Sequence, residues 1–121
     1  MTISVNQLRH SISQIFKRAK ENVIRRRVTK SYNASDDIVE TYNDATISAI
    51  VQVLRLEDLN VFGGLLKAGD AIAFFEYDAD VQAGDRIQHN SVWYEIDNIH
   101  EERIAGYTVF KEAEMKRIEL I

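Results

Sequence analysis

The chain has 121 residues, 45% of them hydrophobic and 28% charged, a net charge of −4, and neither cysteine nor proline. That length suits one domain spanning 1–121, large enough to bury a core without a disulfide or a structural metal. The missing cysteines exclude a disulfide framework and a zinc–thiolate site, and they favour an intracellular setting. No segment approaches the roughly 18 to 20 apolar residues of a membrane-crossing helix, so a soluble protein without membrane contact is expected.

The charge is unevenly distributed. Residues 1–30 carry Lys or Arg at positions 9, 17, 18, 20, 25, 26, 27 and 30 against the single acid Glu21, about +7 in total, which leaves about −11 for the other 91 residues. The basic, serine-containing start has the composition of a transit peptide but no secretory-type apolar core, and it reads as structure. Ser4 is placed as an N-cap, with Gln7 completing a capping box and Ile3 positioned to staple onto Leu8. From Val5 onward, Val5, Leu8, Ile12, Ile15, Phe16, Ala19 and Val23 fall within about 100° of arc at helical spacing. This predicts one long amphipathic helix within 4–27, from about residue 5 to 27, with Arg25, Arg26 and Arg27 in its last turn and its basic side chains facing outward.

The pattern changes to strands at Val28. The runs 28–32 and 38–42 flank the turn-rich cluster Asn33-Ala34-Ser35-Asp36-Asp37, which predicts a hairpin. A strand over Thr46–Leu56 is apolar on both faces, as expected if the sheet interior covers one side and the helix the other. Residues 57–64 read as a loop, and Ala68-Gly69-Asp70 as a turn into a strand over 71–76. Tyr77–Gln82 crosses to the glycine turn at Gly84, which opens the next strand, and Asn90-Ser91 reads as a tight turn. Strands over about 93–103 and 107–118 flank a hairpin at Ile104-Ala105-Gly106. Seven or so closely spaced strands make the chain mainly β: a small antiparallel β-barrel or sandwich, an acidic body over 28–121, with the long N-terminal helix attached. Loops without proline, such as 57–70 and 77–83, are expected to be adaptable.

Chemistry-bearing groups do not converge. Asp78, Asp80 and Asp85 around Gly84 lack the spacing of a cation-binding loop and read as turn and loop residues. His10, His89 and His100 lie in three separate elements without metal spacing, and read as surface or edge residues. The acid pairs Asp36-Asp37, Glu57-Asp58 and Glu101-Glu102 read as loop-solvating groups, because adjacent strand residues point to opposite faces. No phosphate-cradling glycine motif occurs. The expectation is no catalytic, metal or cofactor site. Phe74, Phe75, Tyr77, Trp93, Tyr94, Tyr107 and Phe110 could stack nucleobases, but an acidic barrel repels phosphates, so they read as core and subunit-interface residues.

In the C-terminal half, Gly84-Asp85-Arg86-Ile87 is followed by Val92-Trp93-Tyr94-Glu95-Ile96-Asp97-Asn98-Ile99. Gly106-Tyr107-Thr108-Val109-Phe110-Lys111-Glu112-Ala113-Glu114-Met115-Lys116-Arg117-Ile118 then closes the chain. This order resembles the head–tail joining proteins of tailed phages and related archaeal viruses, particularly head-closure (stopper) and adjacent neck proteins. Gly84 and Asp85 match the turn, Tyr94 and Ile96 the inward strand positions, and Arg117-Ile118 the ending; the long N-terminal helix departs from the shortest members. The resemblance implies a non-enzymatic β-barrel subunit of a ring between portal and tail, located in the virion neck and assembled in the host cytoplasm. Its implied partners are other copies of itself, portal or adaptor and tail proteins, and duplex DNA passing non-specifically through the lumen. Arg18, Arg25, Arg26 and Arg27 are expected to dock a protein partner, and the Phe62–Asp70 loop (Phe62, Gly63, Gly64, Leu65, Asp70) to make contacts along the axis. The alternatives are a tail-terminator or tail-completion ring protein, and a nucleic-acid-binding module using the basic helix on phosphates.

Overall fold

A helix, α1 (Val5–Ala19), precedes six antiparallel strands in the computed structural model of the chain, which describes residues 5–55 and 67–119. The strands are β1 (Glu21–Tyr32), β2 (Ile38–Val53), β3 (Ala71–Glu76), β4 (Arg86–His89), β5 (Val92–Ile104) and β6 (Tyr107–Ile118). They close into a barrel in the order β1-β2-β3-β6-β5-β4, with β4 returning to β1. The mainly β architecture with one N-terminal helix is the one the hydrophobic alternation predicts.

The helix is shorter than its apolar stripe implies. It stops at Ala19, where Lys20 N–H donates to the Phe16 carbonyl (2.8 Å), and Glu21 already pairs with Ala49 of β2. Val23 continues the helical stripe by coincidence of spacing, but it is also the first inward residue of a strand. The β-branched residues Val23, Ile24, Val28 and Thr29 favour extended backbone, and twelve consecutive register pairs with β2 hold the segment there. Arg25, Arg26 and Arg27 therefore lie on β1 and not in a helical last turn. Ser4 and Ile3, read as cap and staple, lie outside the described residues. On α1, Phe16 is buried and Leu8 and Ile12 half-buried against the barrel, whereas Ile15, at the edge of the stripe, is exposed. The helix packs on β6, β2 and β3.

The short runs 28–32 and 38–42 are the distal ends of β1 and β2, which gives six strands among the described residues and not seven. Their turn is held by Asn33, whose side-chain oxygen accepts from Ser35 N–H (2.9 Å) and Asp37 N–H (3.0 Å). Two further hairpins use two-residue turns with positive φ: Asn90 and Ser91 (50° and 65°), and Ala105 and Gly106 (53° and 84°). This backbone twist matches that of the flanking strands.

Inside the barrel, Val23, Phe75, Ile87, Tyr94, Ile96 and Met115 pack against four alanines, Ala49, Ala71, Ala73 and Ala113. The alanines have no exposed surface at all. The alanines of β2, β3 and β6 leave room for the larger side chains, Phe75 and Met115 on β3 and β6 among them, to fill a narrow interior, so the lumen of this barrel is a packed core. The inward positions Tyr94 and Ile96 are buried as expected, and burial raises the pKa of the Tyr94 phenol.

Ala73→Leu should force three extra carbons into this interior and lower stability by about 2–4 kcal/mol. A urea unfolding midpoint unchanged from the parent protein would contradict the packed-alanine account.

Candidate functional site

β1 carries three consecutive arginines across the seam where the barrel closes. The seam is short: β1 meets β4 only at Ile24↔Gln88, Arg25↔Ile87 and Arg26↔Arg86. Strand alternation sends Arg25 and Arg27 toward the barrel side and Arg26 outward. Arg25 is 4% exposed; its Nη2 donates to Asn43 Oδ1 (2.9 Å) and its Nη1 to Asp80 Oδ2 (3.5 Å). Arg27 forms a two-pronged contact with Asp85, Nε to Oδ1 at 3.1 Å and Nη2 to Oδ2 at 3.0 Å, and also reaches Asp80 Oδ1 at 3.0 Å. Asp85, only 1% exposed, accepts a further bond from Gln82 N–H (2.9 Å). It is a buried pin between β1 and the 77–85 crossing, and not the solvated loop residue its acidic neighbourhood suggests. Gly84, at φ +92°, supplies the turn that aims it.

On the outer surface, Arg26 is stacked between two aromatic rings, its guanidinium carbon 4.5 Å from the centre of Tyr42 and 4.5 Å from that of Trp93. Its fork meets the Asp44 carboxylate through Nε–Oδ1 (3.0 Å) and Nη2–Oδ2 (3.1 Å). This arrangement ties β1 to its neighbour β2 and, across β4, to β5. The hydrogen bonds from Arg26 hold the Asp44 pKa below its ordinary value, and those from Arg27 do the same for Asp80. Arg26 and Arg27 are correspondingly raised, chiefly by their hydrogen bonds to Asp44 and Asp85.

The three arginines expected to dock a partner are thus engaged within the chain. Arg18 is separated from them, exposed in the last turn of α1 beside Lys17 and Lys20. Asp70 is also occupied: it is buried, and its carboxylate accepts from Lys67 N–H (2.8 Å) and Arg117 N–H (2.9 Å), stapling the turn before β3 to the end of β6. Phe62, Gly63, Gly64 and Leu65 lie outside the described residues. His89, expected at the surface, is buried and contacts Glu21 across the seam. Arg9 anchors the other end of α1, with Nε donating to the Thr108 carbonyl (2.9 Å) and its guanidinium 3.9 Å from the Tyr77 ring centre.

The surface that remains uncommitted is the far half of the β1–β2 hairpin. β2 pairs with β3 only at Ile50–Val53 and β1 with β4 only at Ile24–Arg26. Residues 27–32 and 38–43 therefore form a two-stranded arm with no further sheet neighbour among the described residues. Six residues of strand project about 20 Å. One face bears Tyr32 (74% exposed) and Ile38 (63% exposed) at the tip, then the facing pair Lys30 and Glu40, then Tyr42, running on to Arg26 and Trp93. The residue alternation contained this signal, since a hairpin with an apolar face and no third strand to cover it presents that face to solvent.

An open groove of about 570 Å³ is lined in part by Val81, Asn98, His100, Glu101 and Lys111. Its charged groups are engaged: Lys111 donates to the Ala79 carbonyl (2.8 Å) and Arg103 to Glu101 (2.7 Å). The hydrogen bond from Arg103 lowers the Glu101 pKa. Among the described residues, no serine, threonine or cysteine lines it.

No protein-family profile matches the chain, and no curated protein matches its sequence. Among solved structures, it is similar to the solution structure of protein SF1141 from Shigella flexneri 2a. The TM-score is 0.58 at 18% identity, over 80% of this chain and 89% of that one. The likeness is one of fold. The arginine seam and the arm have to be judged on their own geometry.

Removing the Arg26 fork and stack with Arg26→Ala should cost about 1–2 kcal/mol, measured by urea unfolding at neutral pH. Asp44 and Asp80 are depressed below 3.8 in the folded chain, so their contribution is complete above that value and is lost as pH falls through the folded pKa values. Stability of the parent should decline on acidification through this window, with a shallower decline in Arg26→Ala; identical slopes would argue against the Asp44 pairing.

Proposed function

We propose that this chain is a structural virion protein of the head–tail connector, a barrel subunit that assembles as a ring between portal and tail and serves head closure or tail attachment. The observation that carries the reading is the uncovered arm. A two-stranded ribbon is marginal in water on its own. This one is anchored at its base by three arginine contacts and leaves Tyr32 and Ile38 in solvent. Such an element gains stability by laying its apolar face on another molecule, and ring subunits use heterologous contacts of this kind. The resemblance of the segment from Gly84 to Ile118 to head-closure proteins supplies the biological setting, with a tail-terminator ring as the neighbouring possibility.

The helix α1 still carries Arg9, Lys17 and Arg18 and no acid, which is the feature a nucleic-acid-binding reading would use. That reading loses Arg25, Arg26 and Arg27, whose charges are answered by Asp44, Asp80 and Asp85.

Affinity capture of the tagged full chain from a nuclease-treated lysate of its source, read by mass spectrometry, should recover portal, tail or capsid proteins. The double substitution Tyr32→Ser with Ile38→Ser should reduce that recovery at least tenfold while leaving the unfolding midpoint near that of the parent. Recovery of nucleic-acid-processing proteins alone from a parallel untreated lysate, and of nothing after nuclease treatment, would overturn the connector assignment in favour of nucleic-acid binding.

A further inference from the structure

Two exposed surfaces of the chain are complementary in charge and both carry uncovered apolar side chains. The first is the arm tip, where Tyr32 and Ile38 flank a turn that bears Asp36 and Asp37; Glu40, further down the arm, is answered by Arg86 (3.8 Å) and stands opposite Lys30. The second is the outer face of α1, where Ser11, Ile15 and Arg18 fall within about 60° of arc; Lys17 on the helix flank and Lys20 just past its end add exposed basic charge to the same helix end. Ile15 is 58% exposed, and no acid occurs anywhere in the helix. We infer that the arm tip of one copy docks on the α1 face of a second copy, Tyr32 and Ile38 against Ile15, with Asp37 near Arg18. This rests on the ring-assembly reading above and names the surfaces that would join its subunits.

Charge selects this pairing over the two-fold alternatives. Tip against tip would bring Asp36 and Asp37 together with their own copies, and helix against helix would do the same for Arg18 and its neighbours Lys17 and Lys20. Like-charge juxtaposition at an interface is costly, whereas acidic tip on basic helix is attractive. Because tip and helix are different surfaces, a docked pair still offers one free tip on one copy and one free helix face on the other, so assembly proceeds head to tail until it closes. The arm's reach of about 20 Å extends it past its own barrel wall to a neighbour. A tip on one helix buries less than the roughly 800 Å² per partner of a stable interface. Each contact is therefore weak alone and is strengthened by closure, where every copy is held on both sides.

The absence of cysteine makes directional crosslinking clean. A copy carrying Ser35→Cys at the tip is mixed with a copy carrying Ser11→Cys on α1, at the highest soluble concentration under mild oxidation. The mixed disulfide should form in clear excess over either homodimer, and the doubly substituted chain should give a ladder ending at one discrete size. Arg18→Glu in the helix copy should lower the yield roughly fivefold, and Asp37→Lys in the tip copy should restore it. Asp37 is chosen because Asp36, at φ +60°, resists a longer side chain. If native mass spectrometry finds oligomers but tip and helix do not crosslink, or only tip–tip disulfides form, the docking contact is wrong and the ring stands. If the chain remains monomeric and uncrosslinked, the docking contact is overturned, while the connector assignment is decided separately by the lysate capture.

Discussion

Closure of this barrel depends on a three-residue seam. Ile24, Arg25 and Arg26 are the only β1 residues in register with β4, too few ladder bonds to hold two strands together without help. The help comes from the arginine run itself, which alternation distributes to both sides of the sheet. Arg25 and Arg27 reach Asn43, Asp80 and Asp85 on one side, and Arg26 spans Tyr42, Asp44 and Trp93 on the other. Guanidinium suits this task because its planar fork meets carboxylates in pairs and stacks on aromatic faces. All six of these partners lie on β2, β5 or the crossing before β4, so one tripeptide on β1 joins four parts of the chain. His89 and Glu21 add a further contact at the start of the same seam.

The same seam gives the arm its base. Beyond Arg27, β1 and β2 leave the barrel together, and the direction of the ribbon is set where Arg26 is clamped. A buried carboxylate such as Asp85 would be unfavourable without its two-pronged arginine and the Gln82 amide; supplied with both, it converts a surface turn into a fixed point. Rigidity at the base and exposed apolar residues at the tip are separate properties, and the chain has both. Binding by a preorganised element loses less entropy than binding by a disordered one, which is what the proposed docking of so small a tip would draw on.

Legibility differed sharply between elements. The hairpin at 33–37, the glycine turn at Gly84, the turn at Asn90-Ser91 and the final hairpin at Ala105-Gly106 were all readable, because turn chemistry is local. The inward positions of Tyr94 and Ile96 were readable from period-two alternation. The end of α1 was not. Val23 satisfies both a helical stripe and a strand face, and three arginines near a helix C-terminus agree with the dipole, so local signals alone extended the helix by eight residues. What removes the ambiguity is β2, whose register partners lie up to 28 residues away at Glu21↔Ala49.

Composition, alternation and turn residues by themselves determined a mainly β domain with an N-terminal helix, its hairpins and much of its inward-facing set, since burial of alternate side chains is a property written along each strand. Only the tertiary structure decided what the charges do. Asp70, Asp85 and His89 read as ordinary polar residues until folding buries them beside Arg117, Arg27 and Glu21. The arginine run likewise becomes a seam because its partners come from β2, β5 and residues 77–85. Charge pairing between residues some 18 to 58 positions apart is fixed by how strands are brought side by side, and that cannot be read one segment at a time.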